Sequence, residues 1–208
     1  MTSRRYSRRE ERWNWGVHLL GAAVVLVSGW WLLRPADLGG NWLFPARIFY
    51  WCTMLGMCVA SSLYHLVRDP ERKELCRKFD HCAIYLLIVG TYAPLMAGLL
   101  PDWRGGAVMA ALGVLAATGI VMKFLFSGRF HRWEVVIYLL MGWLCLFVLK
   151  PLWEAMDRTG FQLLLAGGAA YTAGVVFYVV KREFFHALWH VAVLAGIVLQ
   201  LLAVLTVR

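Results

Sequence analysis

The sequence predicts an all-α integral membrane protein, a bundle of seven transmembrane helices, and three observations carry that reading. Hydrophobic residues make up 61% of the 208-residue chain and charged residues only 16%, a balance that water-soluble domains of this length rarely show. The hydrophobic residues gather in seven runs of about 16 to 23 residues, enough or nearly enough to cross a bilayer core as helices. The 21 Lys and Arg residues sit in short clusters between those runs, where charges set topology. The net charge of +9 therefore speaks for a membrane and against a nucleic-acid partner.

A basic tail, residues 1–15, precedes the first run, Gly16–Leu33. That run is longer than a signal-peptide core, and Trp30, Trp31 and Arg34 stand where small residues would mark cleavage, so it reads as a retained helix. The second run is Ile48–Leu66 and the third His81–Leu99, where Pro94 should bend the helix and free a carbonyl near a cavity. Gly105–Phe126 is the fourth; Glu134–Leu149, the fifth, is the shortest and has the least defined ends. The sixth, Phe161–Val180, carries Gly167, Gly168, Ala169, Ala170, Ala173 and Gly174, small residues suited to close helix contact. Phe185–Val207 is the seventh, and residues 16–208 form one membrane domain with short loops. The five cysteines lack CxxC spacing and read as small apolar residues.

Charge fixes the direction. Fifteen of the Lys and Arg residues fall on the side of the N-terminal tail and six on the other. By the positive-inside rule the N-terminus is cytoplasmic and, with seven spans, the C-terminus is outside.

Ionisable groups at membrane depth cost roughly 2.5–3.5 kcal/mol on insertion scales, so each needs a reason. With the direction fixed, Ser61 and His65 lie in the cytoplasmic last turns of the second span. Asp80 and His81 begin the third, and His186 and His190 begin the seventh. His186 and His190, at i and i+4, share one helix face, as do Ser61 and His65. Two imidazoles from one helix and a third from another supply three nitrogens and leave the fourth position of a tetrahedral zinc open. A water there would be acidified to a pKa of about 7, with Asp80 to take its proton and Ser61 to hydrogen-bond the water or a substrate carbonyl. Copper, iron and nickel also accept such ligands. Interhelical packing is the alternative reading of the same histidines. His81 points about 100° away from Asp80 on an ideal helix and reads as a packing or interfacial residue, while His18 and His131 read as structural or solvated. Thr91, Thr118 and Tyr171 read as interhelical hydrogen-bonders.

The segments Ser61-Ser-Leu-Tyr-His65, Asp80 through Pro94 and His186-Ala-Leu-Trp-His190 together resemble the hemolysin III family. That bacterial family is related to the adiponectin and progestin receptors and to alkaline ceramidases. The resemblance covers nearly the whole chain and implies zinc ligands at His65, His186 and His190, with Asp80 near the zinc-bound water and Ser61 behind the ligands. It also implies residence in a bacterial inner membrane and contact with membrane lipid. Three functions follow as expectations. The first is a zinc-dependent hydrolase of a lipid amide or ester, ceramidase-like. The second is a non-enzymatic regulator or receptor of membrane state with structural zinc. The third, a directly lytic toxin, fits poorly with seven obligate spans.

Overall fold

The computed structural model describes residues 6–34, 42–126 and 131–207, with the side chains of His131 and Arg132 left aside. Arg4, Arg5, Arg129 and Arg208 of the charge count lie outside the described residues, as do the side chains on which the His131 reading depends. Among the described residues the chain is helical throughout, with seven helical segments long and apolar enough to cross a membrane. The helices are α1 (Arg8–Leu32), α2 (Leu43–Leu66), α3 (Pro70–Leu99), α4 (Trp103–Leu125), α5 (His131–Gly142), α6 (Leu149–Ala155), α7 (Arg158–Val179) and α8 (Phe185–Leu205). A 3-10 segment, Trp143–Val148, joins α5 to α6, and the three together make the fifth span.

Several helices start well before the apolar runs do, because polar turns extend them beyond the hydrocarbon. α1 begins at Arg8, where Ser7 and Glu10 form a reciprocal capping box that satisfies two backbone N–H groups. α3 begins at Pro70 behind an Asp69 cap, with proline at the one turn that needs no donor. Both extensions are polar at the basic end of the bundle, and both bear on the site below.

The fifth span is interrupted for an identifiable reason. The Tyr92 hydroxyl of α3 donates to the Gly142 carbonyl and accepts the Cys145 N–H, both at 2.8 Å. This side chain holds the two backbone groups on which the α-helix gives way to the 3-10 segment. Helix α3 itself continues through Pro94 to Leu99, although proline cannot donate to the carbonyl one turn earlier.

The packing runs around the bundle in chain order. α1 packs on α2, α2 on α3, α3 on α4, α4 and α3 on α5, α6 on α7 and α7 on α8, and α1 returns to α8. The small residues do what their size suggests. A Cβ on Gly167 would meet Gln200 of α8 at 2.8 Å and one on Gly174 would meet Ala192 at the same distance. The Thr91 hydroxyl donates to Leu87 O within its own helix, the cheapest acceptor available to a threonine in a helix, and the Tyr50 side chain of α2 lies beside it. Cys58 and Cys82 are buried as small apolar residues, whereas Cys52 is exposed. Trp13 and Trp133 are exposed at one end of the bundle and Trp42 and Trp103 at the other, forming the two aromatic belts of a membrane-spanning protein.

Candidate metal centre

Three helices meet at the basic end with their polar residues turned inward. α2 contributes Ser61 and His65, α8 contributes His186 and His190, and the first three turns of α1 contribute Glu11, Asn14 and His18. Each of the three histidines His65, His186 and His190 offers one ring nitrogen within 4.8 Å of the others. His65 and His190 are buried, and His186 is half-buried. The rings are nested: His186 and His190 lie 4.4 Å apart by centroid, His65 lies 5.0 Å from His190, and Tyr6 stacks on His186 at 4.7 Å.

Hydrogen bonds on the far side of two rings define what the near side presents. His65 Nδ1 lies 2.6 Å from the Glu11 carboxylate, so that nitrogen carries the proton and donates it. Asn14 Nδ2, 3.4 Å from the same nitrogen, is then a packing contact. His190 Nδ1 lies 2.7 Å from His18 Nε2. With Nδ1 the donor in His65, its Nε2 presents a lone pair that faces His190 Nε2 at 3.0 Å, where either an N–H of His190 or a metal ion would satisfy it. Nitrogens bound to one tetrahedral zinc lie about 3.3 Å apart, so the spacing suits the ion, and a donor set of three imidazoles suits it chemically.

Other residues complete the surroundings. Ser61 is fully buried one turn before His65, and its Oγ has no hydrogen-bond partner among the described residues; the same is true of Asp80 Oδ1 on α3. No hydrogen bond among the described residues links either group to the three rings. The rings of Tyr64 and Tyr178 lie 4.5 Å from His65 and 6.1 Å from His186. The head of α8 is set by Phe184, which adopts a left-handed φ of 60°. A backbone of that kind costs about 1–3 kcal/mol and persists only where its surroundings impose it. Here the Glu10 carboxylate accepts the Phe184 N–H at 3.2 Å. Glu10 and Glu11 thus brace α8 and α2 from the same turn of α1.

Sequence reasoning missed that turn. Glu11, Asn14 and His18 fall at i, i+3 and i+7, one face of a helix, and that spacing was the available signal. His18, read as structural or solvated, is fully buried against His190, which leaves the structural reading and excludes the solvated one. His81 does pack, as its position suggested, but against charge: its Nδ1 lies 2.8 Å from both Glu134 Oε2 and Lys123 Nζ. Lys123 Nζ donates to Glu134 Oε1 at 2.7 Å, and the Tyr138 hydroxyl donates to the His81 carbonyl at 2.9 Å. Lys123, counted as a topological charge, is wholly buried.

A seven-helix membrane bundle with three inward histidines and polar braces at its basic end is a defined class of protein, and comparison with known sequences gives it a family. Residues 6–201 match the model of the family described as Haemolysin-III related, and the chain belongs to that family. It is 39% identical over 199 residues to Hemolysin-3 of Bacillus cereus, covering 95% of this chain and 91% of that protein. It is 36% identical over 182 residues to the Hemolysin-3 homolog of Bacillus subtilis, covering 87% and 84%. A more distant similarity, 28% over 183 residues, links it to the human monocyte to macrophage differentiation factor, covering 78% and 74%.

Proposed function

We propose that this multi-pass protein resides in the bacterial inner membrane and is a zinc-dependent intramembrane hydrolase of a lipid amide or ester. The observation that carries the reading is the pair of facing Nε2 atoms at 3.0 Å, each on a ring whose other nitrogen is occupied. Zinc bound by His65, His186 and His190 would supply a Lewis acid and lower the pKa of water to about 7. The chain's own residues provide the rest. With the ion bound, Glu11 and His18 would accept the Nδ1 protons of His65 and His190 and so hold both rings with Nε2 free. Asp80, buried and with Oδ1 unpartnered, is suited to take a proton from an attacking water and return it to the leaving group. The unpartnered Ser61 hydroxyl is suited to donate to a carbonyl oxygen. The exposed apolar helix faces give acyl chains a place to lie.

A second reading, a membrane regulator with zinc as a structural clamp, is favoured by the way the cluster ties α8 to α2 and, through Glu11 and His18, to α1. One experiment separates the readings. Detergent-purified wild type, His190→Ala and Asp80→Asn are compared for zinc content by elemental analysis, for thermal unfolding, and for release of fatty acid from a fluorescent ceramide and an ester analogue. The hydrolase predicts about one zinc per chain in wild type and little in His190→Ala. It also predicts that Asp80→Asn keeps the metal and the fold while turnover drops by about 100-fold or more. Zinc without turnover, together with a His190→Ala variant that unfolds, would support the clamp. No zinc in wild type after metal-replete purification would overturn both.

A further inference from the structure

A half-open cavity of about 320 Å³ lies against His65 at the basic end of the bundle, and its walls are unusually cationic. Arg8 and Arg12 of α1, Arg68 after α2 and Lys73 of α3 line it, with Tyr6 beside them. Glu11 is the one acidic residue in the lining, and it is already engaged by His65 at 2.6 Å and by Lys73 at 3.0 Å. Lys73 is engaged in turn, donating to the carbonyls of Tyr64 at 2.8 Å and Val67 at 3.2 Å. The three arginines differ. None has a hydrogen bond or ion pair among the described residues, and all three are exposed around the same cavity. Guanidinium groups bind phosphate and carboxylate oxygens in bidentate fashion. Three gathered around one cavity, with the local carboxylate spent elsewhere, leave an anion-binding charge unmatched.

The apolar part of the lining says what kind of anion. Trp15, Leu66 and Val67 share the cavity with the arginines. From there Leu63 and Leu19 continue at helical spacing along the exposed faces of α2 and α1. A ligand with a negatively charged head and an apolar tail would meet both surfaces in order. At the cytoplasmic face, which the charge distribution assigns to this end, anionic lipid headgroups occupy the same depth.

We propose that this cavity is a binding site for the phosphate-bearing headgroup of an anionic amphiphile, with Arg8, Arg12 and Arg68 as its anion contacts. The site goes beyond the hydrolase reading and is tested without turnover, so either can fail alone. Full-length protein in a neutral maltoside detergent is titrated with dihexanoyl phosphatidylglycerol, dihexanoyl phosphatidylcholine and glycerol 1-phosphate, and binding is read from tryptophan fluorescence. The variants are Arg12→Glu/Arg68→Glu, its milder form Arg12→Gln/Arg68→Gln, and Lys181→Glu/Arg182→Glu. The last pair makes the same change of charge on the same side of the membrane, at exposed residues outside the cavity.

The expected result is saturable binding of phosphatidylglycerol and weak binding of phosphatidylcholine. Affinity should fall by about tenfold or more in the Arg12/Arg68 charge reversal, less in the glutamine pair, and negligibly in the Lys181/Arg182 pair. Glycerol 1-phosphate binding as tightly as the lipid, with the same arginine dependence, would keep the phosphate site and assign it to a soluble organophosphate. Equal binding of the two lipids would overturn the proposal. So would an equal loss in the two charge-reversed pairs, because surface charge in general would then account for the binding.

Discussion

At His65 the two ring nitrogens do different work. Nδ1 faces the Glu11 carboxylate at 2.6 Å, and Nε2 faces His190 at 3.0 Å. A carboxylate behind an imidazole fixes its tautomer and raises its basicity as a ligand, and losing such a partner typically costs 10–100-fold in metal affinity. Glu11→Ala and His18→Ala are therefore expected to weaken zinc binding by about that factor while the histidine ligands stay in place. Competition with a calibrated chelator checks it. Unchanged affinity in both variants would mean that α1 does not tune the site. The histidine cluster itself was legible in the sequence, because i, i+4 histidines on a membrane span need a reason to be there. His18, at the start of the first apolar run, has no second histidine at helical spacing to mark it, and Glu11 was hidden by its setting. In a stretch dense with arginine, one more acidic residue reads as solvated, and the apolar run begins only after Trp15.

Helices α3, α4 and α5 are joined by a buried ionic cluster rather than by apolar contact alone. Lys123 of α4 is fully buried and Glu134 of α5 is 1% exposed, and they pair at 2.7 Å with His81 of α3 against both. Removing one member of such a pair strands the other's charge, at a cost of about 3–5 kcal/mol, whereas replacing both with neutral groups costs far less. Lys123→Met should therefore lower the unfolding midpoint in detergent sharply, and Lys123→Met/Glu134→Gln should recover most of the loss. If the double variant were no better than the single one, the cluster would be held by packing and not by charge. Asp80 precedes His81 on α3, so the cluster also fixes the rotation of the helix that carries Asp80. Nothing in the residue pattern signalled this pairing. Lys123 and Glu134 sit at span ends, where charge is ordinary, and only the approach of α4 to α5 makes them one unit. The interruption of the fifth span was unreadable for a similar reason: Tyr92, which holds Gly142 and Cys145, is 50 residues away from the first of them.

Across the whole molecule, composition and charge spacing carried most of the architecture, because the bilayer leaves few choices. A backbone in hydrocarbon must satisfy its own hydrogen bonds, so apolar runs of this length become helices. Seven runs therefore became seven spans, with end positions that shift by up to about a dozen residues where polar turns such as Arg8–Trp15 continue a helix into the interface. Orientation rests on a different force, the retention of Lys and Arg on the cytoplasmic side during insertion. Fifteen basic residues against six is a large bias, but Lys123 on the major side and Arg47 on the minor side are buried, and buried charges follow packing as well as topology. Arg47 donates to the Val207 carbonyl, tying the start of α2 to the end of α8, so it belongs to the fold of the outer end. Setting both aside leaves fourteen against five, and the sign of the bias does not change. Alkaline phosphatase, active only after export, is accordingly expected to be active when fused after residue 208 and inactive when fused after Phe126, between α4 and α5. The reverse pattern would put the histidine cluster and the arginine-lined cavity on the outer face. The anionic headgroup would then have to come from the outer leaflet, and the cytoplasmic leaflet would be ruled out as its source.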